Sequence, residues 1–504
     1  MNVKKHISKL AAAAALVLCL SCAALASDTW DGTVGSVPAA SDGVITITTG
    51  AQLAGFAQSV NNGTTYAGYT IRLGGDIDLN DISWTPVGRF FSYGNTGNRA
   101  FSGIFDGAGY SVTGLNVNIA NARAGQTAGL FGYIDFPAAA ARAASAARNV
   151  TAEDKAKADA SELGLSGEAY ERAVAERKDF YETFGIAPET PQTRSVTPAP
   201  TGGIVKNLKV YGSVTNTGGQ GAAGVVCWND GLVENCYFEG TLECSPSNNR
   251  SYVGGICSLL GANTYAVNCA AKVDAKAYGS SFSYAGGIAG YCYAMNTGYI
   301  VNCSVEPGSV IDSYMDAGGI VGGFAYQVYN CVSAADSILL SGEIPNETGT
   351  TYRGGIVGAF GASNNCYWLR TSGNTAQPLV AVGGTVSGGG DVEEGEIEDG
   401  SDTNGRCSSL ALLPAGTVHF APTGVTVGAS ASVASVSYPT GAAAAAPTFG
   451  GWSTDNSAVA TASNGSVTGV SAGSTAVSAA ADSSKWDEVS GVSVTPEGRV
   501  TVTQ

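Results

Sequence analysis

The sequence predicts an all-β chain, most of it a right-handed parallel β-helix with an α-helical insertion, followed by a smaller β domain. Three observations carry that expectation. The segments AAGVVCW (222–228), VGGICSL (253–259), AGGIAGY (285–291), AGGIVGG (317–323) and RGGIVGA (353–359) share one shape, and AGLFGYI (128–134) fits it too. Their glycines at 224, 255, 287, 319 and 355 step by 31, 32, 32 and 36 residues, a period that marks a repeat architecture. Each of those five copies is followed by an Asn-Cys pair: Asn235-Cys236, Asn268-Cys269, Asn302-Cys303, Asn330-Cys331 and Asn365-Cys366. Between these marks lie short Val/Ile/Tyr/Phe runs bounded by Gly, Asn and Ser, with no helical periodicity.

A unit of about 32 residues with two or three short strands cannot bury an apolar face alone. Stacked as successive coils it can, because each coil covers the next and a continuous core forms. Glycines then fall where the backbone bends sharply or a neighbouring coil comes close. "GGIAG" is not followed by the helix and Lys-Ser/Thr that a phosphate loop requires, and its recurrence in every coil makes it structural.

Taken in order, residues 1–26 have a basic start (Lys4, Lys5, Lys9), an apolar run and a small-residue end, Ala24-Leu25-Ala26, the layout of a secretory signal. The mature chain is expected to begin near Ser27 and to be exported to the cell surface or medium, with no membrane span after cleavage. Residues 27–136 are expected to form an N-terminal cap and the first coils. There, Leu53, Phe56, Ala57 and Val60 recur at i, i+3, i+4 and i+7, with Thr49 as N-cap and Gly63 beyond the end. A short amphipathic helix there would cover the open first coil.

The pattern GGIVG followed by V-x-N-C resembles the GLUG repeat of bacterial surface proteins, including relatives of IgA-cleaving proteases. The preceding segments, AQLAGFAQSVNNGTTYAGYTIRLGGDIDLNDISWTPVG (51–88) and FSGIFDGAGYSVTGLNV (101–117), resemble the part that comes before such repeats. The resemblance covers about half the chain and implies an extracellular β-helix. The protease relatives carry a separate zinc domain, and this chain has no HExxH, so that activity does not transfer.

Residues 137–200 interrupt the comb with an Ala-rich charged stretch and then a Pro-rich one. Tyr170, Val174, Tyr181 and Phe184 share a helical face, with Ser166 as candidate N-cap. Such an insertion either packs on the coils or presents a binding surface. The repeats fill 201–370, and 371–417 reads as an acidic, Gly-rich linker. Residues 418–504 resemble a bacterial Ig-like domain of group 2, which implies a β-sandwich with Trp452, Val459, Ala460, Val467 and Val470 in its core.

Composition narrows the function. The net charge is −16, and without the three signal lysines 22 basic residues face 41 acidic ones, a net −19. Nucleic acid and anionic lipid need clustered Lys/Arg, so neither is an expected partner. Only His6 and His419 are present. His-based triads and His-ligated zinc are therefore excluded from the central region.

Ten cysteines follow the signal. Those after Asn stack at about 4.7–4.9 Å if each repeat is one coil, and parallel side chains keep that distance between Cβ atoms. A disulfide wants about 3.5–4.5 Å, so a ladder of buried thiols is expected. Cys227, Cys244, Cys257 and Cys292 lie outside that row and are the better disulfide candidates. With no CxxC beyond the signal, zinc and iron–sulfur sites are not expected. The repeats are acid-poor, and Asp76 and Asp78 form the one close pair. With Asp106 they are the candidate calcium ligands, although turn-forming and solvated Asp account for the same residues.

No catalytic, cofactor-binding or metal site is assigned, and no cofactor is implied. The expected function is adhesin-like recognition or display without enzymatic activity, toward an extracellular glycan or a surface protein. The alternatives are a polysaccharide lyase or hydrolase on the same scaffold, and a structural spacer.

Overall fold

The computed structural model describes residues 28–120, 127–136, 151–162, 167–184, 203–383 with short gaps, 395–397, 419–436 with gaps, 449–481 and 497–503. The signal, Ser166, Asn330, Asn365 and Cys407 lie outside them, as does the Phe184 side chain. The repeats wind as a parallel β-helix with four strands per coil rather than two or three. In one coil these are Tyr237–Cys244, Ser251–Gly254, Cys257–Leu260 and Thr264–Val267, which lie in sheets I, II, III and IV in turn. The next coil starts at Ala270, directly over Tyr237. The additional strand arises because the Gly254-Gly255 step bends the chain within one apolar run and divides it into two strands.

Coil spacing explains the glycine pairs. The Gly255 amide donates to Gly287 O at 3.1 Å, and a Cβ on Gly255 would lie 2.2 Å from that oxygen. On Gly319 it would lie 1.9 Å from Gly355 O. Only glycine allows coils to approach so closely at this corner.

The Asn-Cys pairs form the corner between sheets IV and I. Asn235, Asn268 and Asn302 adopt left-handed φ of 51–57°, which Asn tolerates better than most residues. Their amides form a ladder: Asn302 Nδ2 donates to Asn268 Oδ1 (2.6 Å), Asn268 to Asn235 (3.1 Å) and Asn235 to Asn207 (3.1 Å). The cysteine after each turns inward into the solenoid core, with Cys236, Cys269, Cys303, Cys331 and Cys366 all buried. Among the described residues, no cysteine forms a disulfide. The expected thiol ladder is present, and the four candidates outside it, Cys227, Cys244, Cys257 and Cys292, are buried and unbridged. Burial pushes the Cys227 thiol up to about 12, so it stays protonated.

At the N-terminus, helix α1 (Gly50–Asn61) forms where the periodicity predicts it. Thr49 Oγ1 accepts from Gln52 N at 3.2 Å, and Leu53, Phe56, Ala57 and Val60 are buried. Phe56 packs edge-on to Phe101 and tilted against Phe105, so the helix closes the core at this end.

The insertion leaves at the corner between sheets III and IV, between Phe131–Asp135 and Ile204–Lys206. It contributes helices α2 (Ala152–Glu162) and α3 (Gly167–Phe184). The solenoid also runs past residue 370: Gly395–Ile397, within the stretch expected as linker, pairs with Tyr367–Leu369. Beyond it, two further sheets share a small core of Val425, Ala460, Val467, Val477, Ala479, Val500 and Val502. Ala460 and Val467 are buried as expected, and Trp452 and Val459 pack at the core's edge. Val470 is instead 47 % exposed, because it follows the strand Ser466–Gly469 at the sheet's end.

Candidate functional site

The outward faces of the four sheets differ, and the alternation of each strand shows how. In Ala270–Ala277 of sheet I, Lys272, Asp274 and Lys276 point outward between buried neighbours. In sheets II and III the described strands Ser251–Gly254, Cys257–Leu260, Ser283–Gly286 and Ala289–Cys292 are buried at every position. A strand buried on both faces needs a cover, and helices α2 and α3 supply it. Their Ala156, Ala160, Ala173, Val174 and Tyr181 share one cluster with Trp228, Tyr252, Leu259, Tyr284 and Tyr291 of the coils. Val174 and Tyr181 are buried and Tyr170 packs at the edge, so the helical face expected from the sequence is the docked face.

Polar groups are buried with it. Arg172 Nε donates to Glu176 Oε1 at 2.7 Å, and its Nη2 pairs with Asp316 of sheet II. Burial pushes the Asp316 carboxyl up to about 8, although the guanidinium beside it pulls the other way. Arg177 Nη2 donates to Tyr293 O at 2.7 Å. Further along the same face, buried Asp230 accepts from the hydroxyls of Tyr93 (3.1 Å) and Tyr133 (3.3 Å), and these phenols are held protonated by burial.

Sheet IV has the opposite character. Its outward column runs Ile204, Leu232, Tyr265, Tyr299 and Gln327, one residue per coil. Tyr265 and Tyr299 are half-buried, and their rings stack with centroids 5.1 Å apart and planes 13° apart. Tyr329 lies two residues along and donates from its hydroxyl to Gln327 Oε1 at 2.5 Å. A second column beside it alternates in charge: Arg72, Asp106, Lys206 and Glu234.

On sheet I the coils assemble a group that the sequence does not show as a cluster. Glu239, Lys272 and Glu306 come from three successive coils, 33 and 34 residues apart. Tyr237 Oη donates to Glu239 Oε2 (3.1 Å) and lies 3.5 Å from Glu306 Oε2, and Lys272 Nζ lies 3.1 Å from Glu239 Oε1. Burial and the neighbouring Glu239 charge push the Glu306 carboxyl up to about 7. Placing the charges at one coil period finds this trio, whereas Asp76 and Asp78 stand out by closeness along the chain alone.

The three candidate calcium ligands are not brought to one point. Asp76 Oδ1 accepts from the Ser111 amide and hydroxyl, and Asp78 Oδ1 from the Asn80 amide. Asp106 is buried against Arg72 Nε (3.0 Å) and accepts from Asn207 Nδ2 (3.1 Å), which makes it the end of the asparagine ladder. Against the opposing effect of burial, the Lys206 ammonium and then the Arg72 guanidinium hold its carboxyl below the usual carboxylate range. Among the described residues, no group of three or more His, Cys, Asp or Glu is placed to hold a metal ion.

No helix among the described residues is long and apolar enough to cross a membrane. No family model and no curated protein matches this chain. Among solved structures, it is similar to the crystal structure of a "putative immunoglobulin A1 protease" from Bacteroides ovatus, at 14 % identity and a TM-score of 0.42, over 76 % of this chain and 89 % of that one.

Proposed function

We propose that this is an exported, non-enzymatic recognition or display protein, adhesin-like, which holds an extended glycan or a protein partner along the outer face of sheet IV. The observation that carries this is the half-exposed Tyr265–Tyr299 stack on a rigid sheet, next to Gln327 and the alternating charges. Ring edges and hydroxyls repeating at the coil spacing of about 4.8 Å suit a ligand that itself repeats hydrogen-bonding groups. The GLUG-type repeats, the signal and an Ig-like sandwich at 418–504 complete this reading, with the right-handed winding that parallel crossovers adopt. The test is binding to glycan arrays and immobilised matrix proteins. Wild type is expected to give a hit that the double substitution Tyr265→Ala, Tyr299→Ala weakens at least about tenfold, the loss typical of interface anchors. If wild type binds on neither platform, the spacer reading replaces this one.

A second reading has its own observation. Glu239, Glu306 and Lys272 around Tyr237 are the carboxylate pair and cation that a polysaccharide-cleaving β-helix would need. Release of new reducing or unsaturated ends from acidic and neutral polysaccharides, abolished by Glu306→Gln, would establish it. Unchanged polymers would remove it.

A further inference from the structure

The face covered by α3 contains a box whose walls all belong to the solenoid. Asp316 stands in the outward column of sheet II between Tyr284 and Tyr352. Its Oδ1 accepts from Tyr352 N at 2.9 Å, and its Oδ2 takes the Arg172 guanidinium. That guanidinium lies 4.8 Å from the centroid of the Tyr352 ring and 5.2 Å from that of Phe360. A carboxylate flanked by aromatic rings recognises a planar, weakly hydrated cation through a charge-assisted hydrogen bond and cation–π attraction together.

The occupant fits incompletely. The Tyr284 hydroxyl and the Glu176 Oε2 are buried with no hydrogen-bond partner among the described residues. Leaving such a group buried and unpaired is unfavourable relative to solvating it. Enclosing Arg172, Glu176 and Asp316 adds desolvation that their attraction offsets only in part. Lys178 pairs with Glu153 at 3.1 Å, which joins α3 to α2 independently of the solenoid.

We propose that the box of Asp316, Tyr352 and Phe360 is a guanidinium-binding site for an arginine-bearing segment of a partner protein, and that Arg172 is its intramolecular occupant. The partner's arginine and Arg172 then compete for one carboxylate, and the α2–α3 hairpin occludes the site until displaced. This site is separate from the sheet IV face, so either assignment can fail without the other.

The test uses the full chain carrying Arg172→Ala, with ethylguanidinium as probe, at a pH where Asp316 is ionised. Titration calorimetry is expected to show saturable binding at least about tenfold tighter than to wild type, since the built-in competitor is gone. Adding Asp316→Asn is expected to abolish it, and an arginine-containing peptide to compete where its lysine counterpart does not. The proposal is overturned if the variant, with a wild-type far-UV spectrum, binds the probe no better than wild type, or if Asp316→Asn leaves binding intact. Should Arg172→Ala not fold, Arg172→Lys replaces it. Tighter probe binding than wild type then supports the site, and equal binding overturns it.

Discussion

Sheets II and III, and sheet IV, are aromatic faces of one solenoid built on one period, yet the first pair is covered and the other is open. The covered face carries Trp228, Tyr252, Tyr284 and Tyr291, all nearly inaccessible, with buried charges from α3 among them. The open face carries Tyr265 and Tyr299 half-buried, their rings stacked on one another. The difference teaches that aromatic content alone does not mark a binding surface in a β-helix. What differs is that Thr264–Val267 and Gly298–Val301 of sheet IV each leave one position, Tyr265 or Tyr299, half-buried, whereas Ser251–Gly254 and Cys257–Leu260 leave none.

Four substitutions and one titration break or sharpen that comparison, in order of expected size. Gly319→Val puts a side chain into the Gly355 carbonyl of the next coil and should remove both faces together. A loss of more than about 4 kcal/mol is expected in urea unfolding. Val174→Asp places an unpaired charge under the docked hairpin and should disturb the covered face alone. The expected cost is about 3 kcal/mol. It should appear as a gain in dye binding and faster amide exchange in α3, with exchange in sheet IV unchanged.

Asn268→Ala removes a middle rung of the ladder and leaves a non-glycine residue at φ 52°. Melting should report roughly 2–3 kcal/mol, and Asn268→Gly clearly less, because only the hydrogen bonds are then lost. Equal losses would show that the left-handed turn contributes nothing. Tyr265→Ala should cost under about 1 kcal/mol, the range of a cross-strand pair, because its face is half open. A larger loss would mean that sheet IV is a structural face rather than a recognition face.

The last test concerns sheet I. The Glu306 carboxyl is raised to about 7, so the folded chain keeps a proton that the unfolded chain has already released. Its effect on stability is therefore most favourable below the ordinary carboxylate pKa and declines as pH rises toward 7. The melting temperature should fall across that window, and Glu306→Gln should flatten the fall. An unchanged profile would mean that Glu306 titrates normally.

Much of this was legible in the chain. The period predicted stacked coils because each coil must supply the same bend at the same place, and Gly and Asn supply it through backbone properties that side-chain packing cannot replace. Asn207 is harder to read from the chain because Leu208 stands where the other copies have Cys, and VKNLKV shares only its Val and Asn with VENCYF. The cover over sheets II and III was partly legible as well. SYVGGICSLL and SYAGGIAGYC carry no charged residue, which an exposed strand would not sustain.

The sequence by itself determined the repeat, the N-terminal helix, the thiol row and the amphipathic face of α3, because each rests on local periodicity and backbone preference. Only the tertiary structure decided that Asp106 ends the asparagine ladder, that Glu239, Lys272 and Glu306 meet, and that Arg172 docks on Asp316. Those contacts join residues 33 to 144 positions apart. Which side chains meet across such distances depends on how the coils stack and where the insertion folds back, and neither is encoded in any short stretch of chain.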